Sequence, residues 1–239
     1  IFMRTLIAIC LVLTIMAPPL AKADLDPSNR AELNKVIEDF IRNNPEVVRD
    51  TLIALAAREE AERKQTGLVM VRDDLGDPVM GNPNGKITLY EFTDYNCGYC
   101  KRVFNPIQQV LRDNPDIRLV VKEFPILSQS SLVAAKAAIA AEMQGKFNAY
   151  HTAMMTYRGQ INDDVVMRVA TQAGADEKQL KIDMESPKTA AIIQRTREAA
   201  AALGINGTPG LVVGNTVVPG AIELDELVKL ITVERDKQS

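Results

Sequence analysis

Asp94-Tyr95-Asn96-Cys97-Gly98-Tyr99-Cys100-Lys101 sits at a junction between two kinds of pattern. Before it, Ile87-Thr88-Leu89-Tyr90-Glu91-Phe92 has the length and composition of a buried strand. After it, Val103, Phe104, Ile107, Val110 and Leu111 recur at helical spacing. Cys97 therefore falls where a strand hands over to a helix, in the first helical turn, with Cys100 three residues on. Unpaired N–H groups and the positive end of the helix dipole stabilise an anion at that address. A thiolate there has a lowered pKa, and the thiolate is the reactive form. At its ordinary pKa only about 3% of a thiol is ionised at neutral pH, and a fall of a few units ionises most of it. Cys100 is within bridging reach of Cys97 and turned inward, which suits a resolving thiol.

Other uses of a CxxC pair fit less well. Structural zinc takes four ligands, usually Cys and His. The chain has one His and no second CxxC. A purely structural disulfide across a two-residue loop restricts the unfolded chain little. Thiol–disulfide exchange is the reading that uses both the position and the spacing.

With 239 residues there is room for one good-sized domain plus an appendage. Hydrophobic content of 46% and charged content of 25% are those of an ordinary soluble globular protein. A net charge of −3 gives no reason to expect nucleic acid. Residues 1–23 read as a secretory signal: Arg4, an apolar core from Leu6 to Ala17, then Pro18-Pro19 and Ala21-Lys22-Ala23. Export, and a periplasmic location, follow from that reading. Cys10 would leave with the signal, so the two remaining cysteines are the CxxC pair. In an oxidising compartment such a pair is a working redox couple.

Residues 24–67 read as an N-terminal helical arm. Asp26-Pro27 can cap and start a helix with Leu33, Val36, Ile37, Phe40 and Ile41 on one face. Asn44-Pro45 restarts the pattern, and a second helix runs to Gln65 with Gly67 as its stop. Val47, Val48, Leu52, Leu55 and Ala56 give it an apolar stripe. Such faces bury against something, either another subunit or the arm's own domain. Turn residues dominate 68–85, which reads as a linker. The strand at 87–92 and the CxxC helix follow, with Pro106 expected to kink that helix. Ile117 to Phe124 is a second buried strand, parallel to the first. Residues 128–202 are helical in pattern, with His151 read as packing on an apolar helix face and the Met residues as core. Gly207-Thr208-Pro209-Gly210 then leads into a hairpin turning at Gly214-Asn215, and Glu223 to Val233 is a last amphipathic helix.

This succession resembles a thioredoxin fold, and the helical block sits where DsbA-like disulfide oxidoreductases carry an inserted helical domain. The motifs are Glu-Phe-Thr-Asp-Tyr-Asn-Cys-Gly-Tyr-Cys at 91–100, Lys-Glu-Phe-Pro at 122–125 and Gly-Thr-Pro at 207–209. The fold implied is α/β: a thioredoxin fold in two parts, 86–127 and 203–239, around an inserted helical domain at 128–202, with an N-terminal helical extension. The arm, with Asn-Pro-Glu-Val at 44–47, resembles that of ScsC-type members (suppressor of copper sensitivity). The resemblance makes Cys97 the nucleophile, Cys100 the resolving thiol and Thr208-Pro209 a cis-Pro loop lying against them. It also implies that Glu91 is a buried acid serving Cys100 and that Lys122 is its basic partner. The dipeptide Gly98-Tyr99 departs from the Pro-His of the strong oxidants. Tyr99 cannot carry a positive charge as His can, and Gly98 leaves the first turn less rigid.

The expected activity is disulfide formation, isomerisation or reduction in cysteine-containing protein substrates. No organic cofactor or metal is required, and a membrane redox partner would reset the pair. The arm at 24–67 would make a homo-oligomer, which favours isomerase or reductase use, and Thr208 before the Pro resembles the isomerase-type members and points the same way. One rival is a copper-handling protein that holds soft Cu(I) on Cys97 and Cys100. Another is a binding protein with a vestigial redox pair.

Overall fold

The computed structural model describes residues 27–237, so the expected signal at 1–23 lies outside the described residues. The chain divides into two compact units, one ending at Leu55 and the other beginning at Ala56. In the first unit, α1 (Pro27–Asn43) ends where α2 (Pro45–Arg72) begins. Asn44 takes the expected boundary position, its side chain donating back to the Phe40 carbonyl at 2.7 Å. Leu33, Val36, Ile37, Phe40 and Ile41 are between 44% and 59% exposed. Helix periodicity alone does not bury this face within the described chain.

The expected helix stop at Gly67 is corrected: α2 continues to Arg72. Gly67 is buried, and a Cβ there would lie 2.7 Å from Leu203 Cγ. The residue is small because another helix approaches closely, a requirement that a sequence cannot distinguish from a cap. Leu68 and Val71 enter the core of the second unit. The stretch read as a linker therefore contains the end of α2 and also β1 (Val79–Gly81), which pairs antiparallel with the third strand. A three-residue strand set among Pro and Gly leaves no periodicity to read.

Among the described residues, the sheet of the second unit has five strands. Its centre is β2 (Ile87–Thr93) parallel to β3 (Ile117–Glu123), joined by α3 (Gly98–Asp113). The hairpin of β4 (Gly210–Val213) and β5 (Thr216–Pro219) adds antiparallel beside β2. Gly214 turns it with a φ of 59°, in the left-handed region that Gly enters freely. Five helices lie between β3 and β4: α4 (Gln129–Met143), α5 (Phe147–Thr156), α6 (Asp163–Gln172), α7 (Glu177–Met184) and α8 (Pro187–Ala202). α9 (Leu224–Asp236) follows β5. The architecture is the α/β thioredoxin-like fold with helices inserted between its two parts.

Strand alternation sorts the core into two layers. Ile87, Leu89 and Val121 face α3, α9 and the inserted helices. Tyr90, Phe92 and Val120 face Leu68, Val71, Ala199 and Leu203 on the other side. α3 runs through Pro106 without interruption, and it buries Cys100, Val103, Phe104, Ile107 and Val110.

Candidate active site

Cys97 is the N-cap of α3, one position earlier than the first helical turn expected for it, with extended backbone angles. Its sulfur accepts from the Cys100 backbone N–H at 3.3 Å. Both cysteines are free, Cys100 fully buried and Cys97 nearly so. The Thr208 carbonyl oxygen lies 3.2 Å from Cys97 Sγ, so Thr208-Pro209, which is cis, is brought against the pair as expected.

The two thiols are driven in opposite directions. Cys97 is pulled down to about 5, first by the hydrogen bond from the Cys100 thiol. Burial opposes this, while the N–H groups of Cys100 and Tyr99 add to it. The helix end therefore contributes as the sequence predicts, but the neighbouring thiol contributes more. Cys100 is pushed far above the usual thiol range because its thiol donates a hydrogen bond to Cys97 while keeping the proton, is buried, and feels the charge of Glu91.

Glu91 is buried beneath the pair, 3% exposed. Burial and the Cys97 charge raise its pKa to about 8. Lys122 is not its partner, which corrects the sequence reading. In the parallel register Glu91 stands opposite Val121, while Lys122 stands opposite Phe92. Successive strand residues point to opposite faces, so Lys122 lies across the sheet from the cysteines. There its Nζ donates to Asp77 at 2.8 Å and to the Asp73 carbonyl at 3.3 Å.

Gly98 has open space where a Cβ would be, so nothing in the surroundings requires Gly there. Tyr99 is 58% exposed, and the Arg102 guanidinium stacks over its ring at 3.9 Å. The dipeptide thus has a cation beside it after all, supplied from the next turn of α3.

Three polar residues of the site escaped the sequence reading. Asp94 ties the loop before Cys97: its carboxylate accepts from the N–H groups of Asn96, Ile126 and Leu127 and from the Ser131 hydroxyl. Asp94-Tyr95-Asn96 before a helix is the recognisable signal for such a loop. Tyr95 and Glu123 are fully buried and bonded to each other, Tyr95 Oη donating to Glu123 Oε1 at 2.8 Å. His151 packs among Tyr95, Phe104 and Phe147, as a core histidine should. It is also polar in role: Nδ1 lies 2.9 Å from Tyr95 Oη, and burial lowers its pKa to about 3, so it is neutral. No group of three or more His, Cys, Asp or Glu side chains among the described residues is arranged to hold a metal ion.

The sequence profile of the DSBA-like thioredoxin domain matches residues 88–232. A thioredoxin-like oxidoreductase from Silicibacter pomeroyi DSS-3 is 42% identical, with a TM-score of 0.67 over 71% of this chain and 97% of that one. The catalytic domain of Proteus mirabilis ScsC is 26% identical, with a TM-score of 0.65 over 72% of this chain and 97% of that one. Among curated proteins, a Na(+)/H(+) antiporter NhaA 1 of Mycolicibacterium gilvum (strain PYR-GCK) is 29% identical over 176 residues. The match takes up 71% of this chain but 28% of that protein, so the chain spans under a third of it and ion transport does not follow.

Proposed function

The chain belongs to the DSBA-like thioredoxin domain family, and we propose that it exchanges disulfides with cysteine-containing protein substrates through Cys97 and Cys100. The observation that carries this reading is the asymmetry of the two thiols. One sulfur, at the N-cap of α3, has its pKa pulled down to about 5, and the other is buried and keeps its proton. The pair therefore has one nucleophile and one reserve thiol.

The Cys97 thiolate attacks a substrate disulfide and forms a mixed disulfide, expelling the first substrate thiolate. With Cys97 bonded, its charge no longer opposes ionisation of Glu91. Glu91 takes the Cys100 proton, and Cys100 attacks Cys97 Sγ, releasing the second substrate thiolate. The substrate is reduced and the pair is oxidised. Run backwards, the same steps insert a disulfide. Asp94 and Thr208 hold the loops that place Cys97, and the Thr208 backbone offers a pairing edge to an extended substrate.

The direction we favour is isomerase or reductase, because α1 and α2 present apolar faces suited to a homo-oligomer through residues 24–67. Association raises the effective concentration of one site near a substrate held by another. Export to the periplasm rests on the signal pattern of residues 1–23, and resetting by a membrane redox partner rests on the family. Copper handling finds no support beyond the two thiols themselves. The test is reduction of a protein disulfide substrate by the full chain and by Cys97→Ser, with a chemical reductant resetting the pair. Loss of turnover in Cys97→Ser supports the reading, and undiminished turnover ends it.

A further inference from the structure

On the sheet face beneath α3, β2 presents Leu89, Glu91 and Thr93, and β3 presents Val121 and Glu123. Thr93 stands directly opposite Glu123. Glu91 is one pleat along, on a diagonal of roughly 8 Å between backbones, a gap that two carboxyl side chains or one water can close. All three are buried, Thr93 and Glu123 completely. Glu123 Oε1 is engaged by Tyr95. Its Oε2 and the facing Thr93 Oγ1 have no protein partner. Buried polar atoms almost always find one, and two such atoms on one register pair mark a place for a single internal water.

Among the described residues, none of the main groups acting on Glu123 is a cation. The charges that reach it come from Asp94, Glu91 and, across the sheet, Asp77. Tyr95 and Tyr150 are uncharged, and His151 beyond Tyr95 is neutral. Lys122, its neighbour in sequence, is turned to Asp77. Two ionised carboxylates cannot coexist cheaply in such a place.

We propose that Glu123 is a positioning residue for the resolving half-reaction, keeping its own proton on Oε2 and offering it, through the water at Thr93, to the Glu91 carboxylate. The inference rests on the base role given to Glu91 above. Glu91 must carry a negative charge in an apolar pocket before it can take the Cys100 proton. The cation implied by resemblance, Lys122, is on the wrong face, and a neutral donor takes its place. In the step itself the proton passes from Cys100 Sγ to Glu91, the Cys100–Cys97 bond forms, and the substrate sulfur leaves with the electrons of its old bond. Glu123 gains and loses nothing.

The test measures resolution of a trapped mixed disulfide against pH in the full chain, with Glu123→Gln and Glu123→Met. Gln is a permanently neutral donor of the same shape, whereas Met fills the space without a donor. Glu123→Gln should resolve within about twofold of the parent. Glu123→Met should raise the midpoint by about one pH unit and slow resolution about tenfold at neutral pH. An unmoved midpoint in Glu123→Met overturns the inference, and so does a Glu123→Gln variant as slow as Glu123→Met, which would mean that the Glu123 proton itself must move. Should Glu123→Met fail to fold, the infrared carboxylic-acid band of Glu123 in Glu91→Gln decides. It should persist at neutral pH, and its loss there overturns the inference. Resolution at the parent rate in Glu91→Gln would instead overturn the base role from which the inference starts.

Discussion

Replacing Cys100 with Ala should raise the pKa of Cys97, whereas replacing it with Ser should leave it nearly in place. Cys97 titrates near 5, so at pH 7 thiolate outnumbers thiol about a hundredfold. The largest support for that thiolate is the hydrogen bond from the Cys100 side chain, ahead of the backbone N–H groups. A hydrogen bond to a charged group contributes about 1.5–3 kcal/mol, which is about one to two pKa units. Ala removes the donor and should move Cys97 to about 6 or 7, while Ser keeps an O–H donor. Both variants leave the backbone N–H groups of Tyr99 and residue 100 in place, so neither should return Cys97 to an ordinary thiol value. The assay is alkylation rate and thiolate ultraviolet absorbance against pH. Near pH 5.5, Cys100→Ala should alkylate about an order of magnitude more slowly than Cys100→Ser. Coincident profiles would refute the reasoning and assign the low pKa to the helix end alone.

Three further outcomes are expected. Glu91→Gln should slow resolution by Cys100 and leave the first attack by Cys97 unchanged. Native Glu91 keeps its proton to about 8, against 4.5 ordinarily, so the folded state binds more protons in that window and stability falls as pH rises through it. Glu91→Gln should therefore be more stable than the parent at pH 8, by on the order of a few kcal/mol, and closer to it at pH 4.5; urea melts showing no pH-dependent gain would count against it. Lys122→Met strips the fully buried Asp77 of its 2.8 Å partner and leaves it only Arg195 at 3.3 Å, so it should cost about 1–3 kcal/mol in denaturant unfolding, with the Cys97 titration unmoved; a shifted Cys97 titration would restore Lys122 to the site. Leu33→Ser, Ile37→Ser and Phe40→Ser together should convert an oligomer to a monomer in light scattering and abolish isomerisation of a scrambled substrate while sparing simple reduction, and a parent chain that is already monomeric at micromolar concentration removes the basis for this.

The elements that carry a strong period were legible. Ile87 to Phe92 and Ile117 to Glu123 are the central parallel strands, and the helix after Cys97 keeps its apolar face. The hairpin announced itself through Gly214-Asn215. What the sequence concealed is what depends on contacts distant along the chain. Gly67 looks like a cap but is a close approach to Leu203. Lys122 and Glu123 are adjacent letters, yet alternation sends one to Asp77 and the other to Tyr95. Glu91 and Lys122 do not pair because the register puts Glu91 opposite Val121 and Lys122 opposite Phe92, on opposite faces of the sheet. His151 had no polar neighbour in sequence, and its partner Tyr95 is supplied by the fold.

The most direct measurement is intact mass and peptide mapping of the covalent complex that forms when full-length Cys100→Ser meets a protein disulfide substrate. Without a resolving thiol the mixed disulfide should accumulate on Cys97, and Cys97→Ser should form none under the same conditions. An adduct on Cys100 in Cys97→Ser, or the absence of any adduct in Cys100→Ser, would contradict the assignment of Cys97 as the attacking thiol.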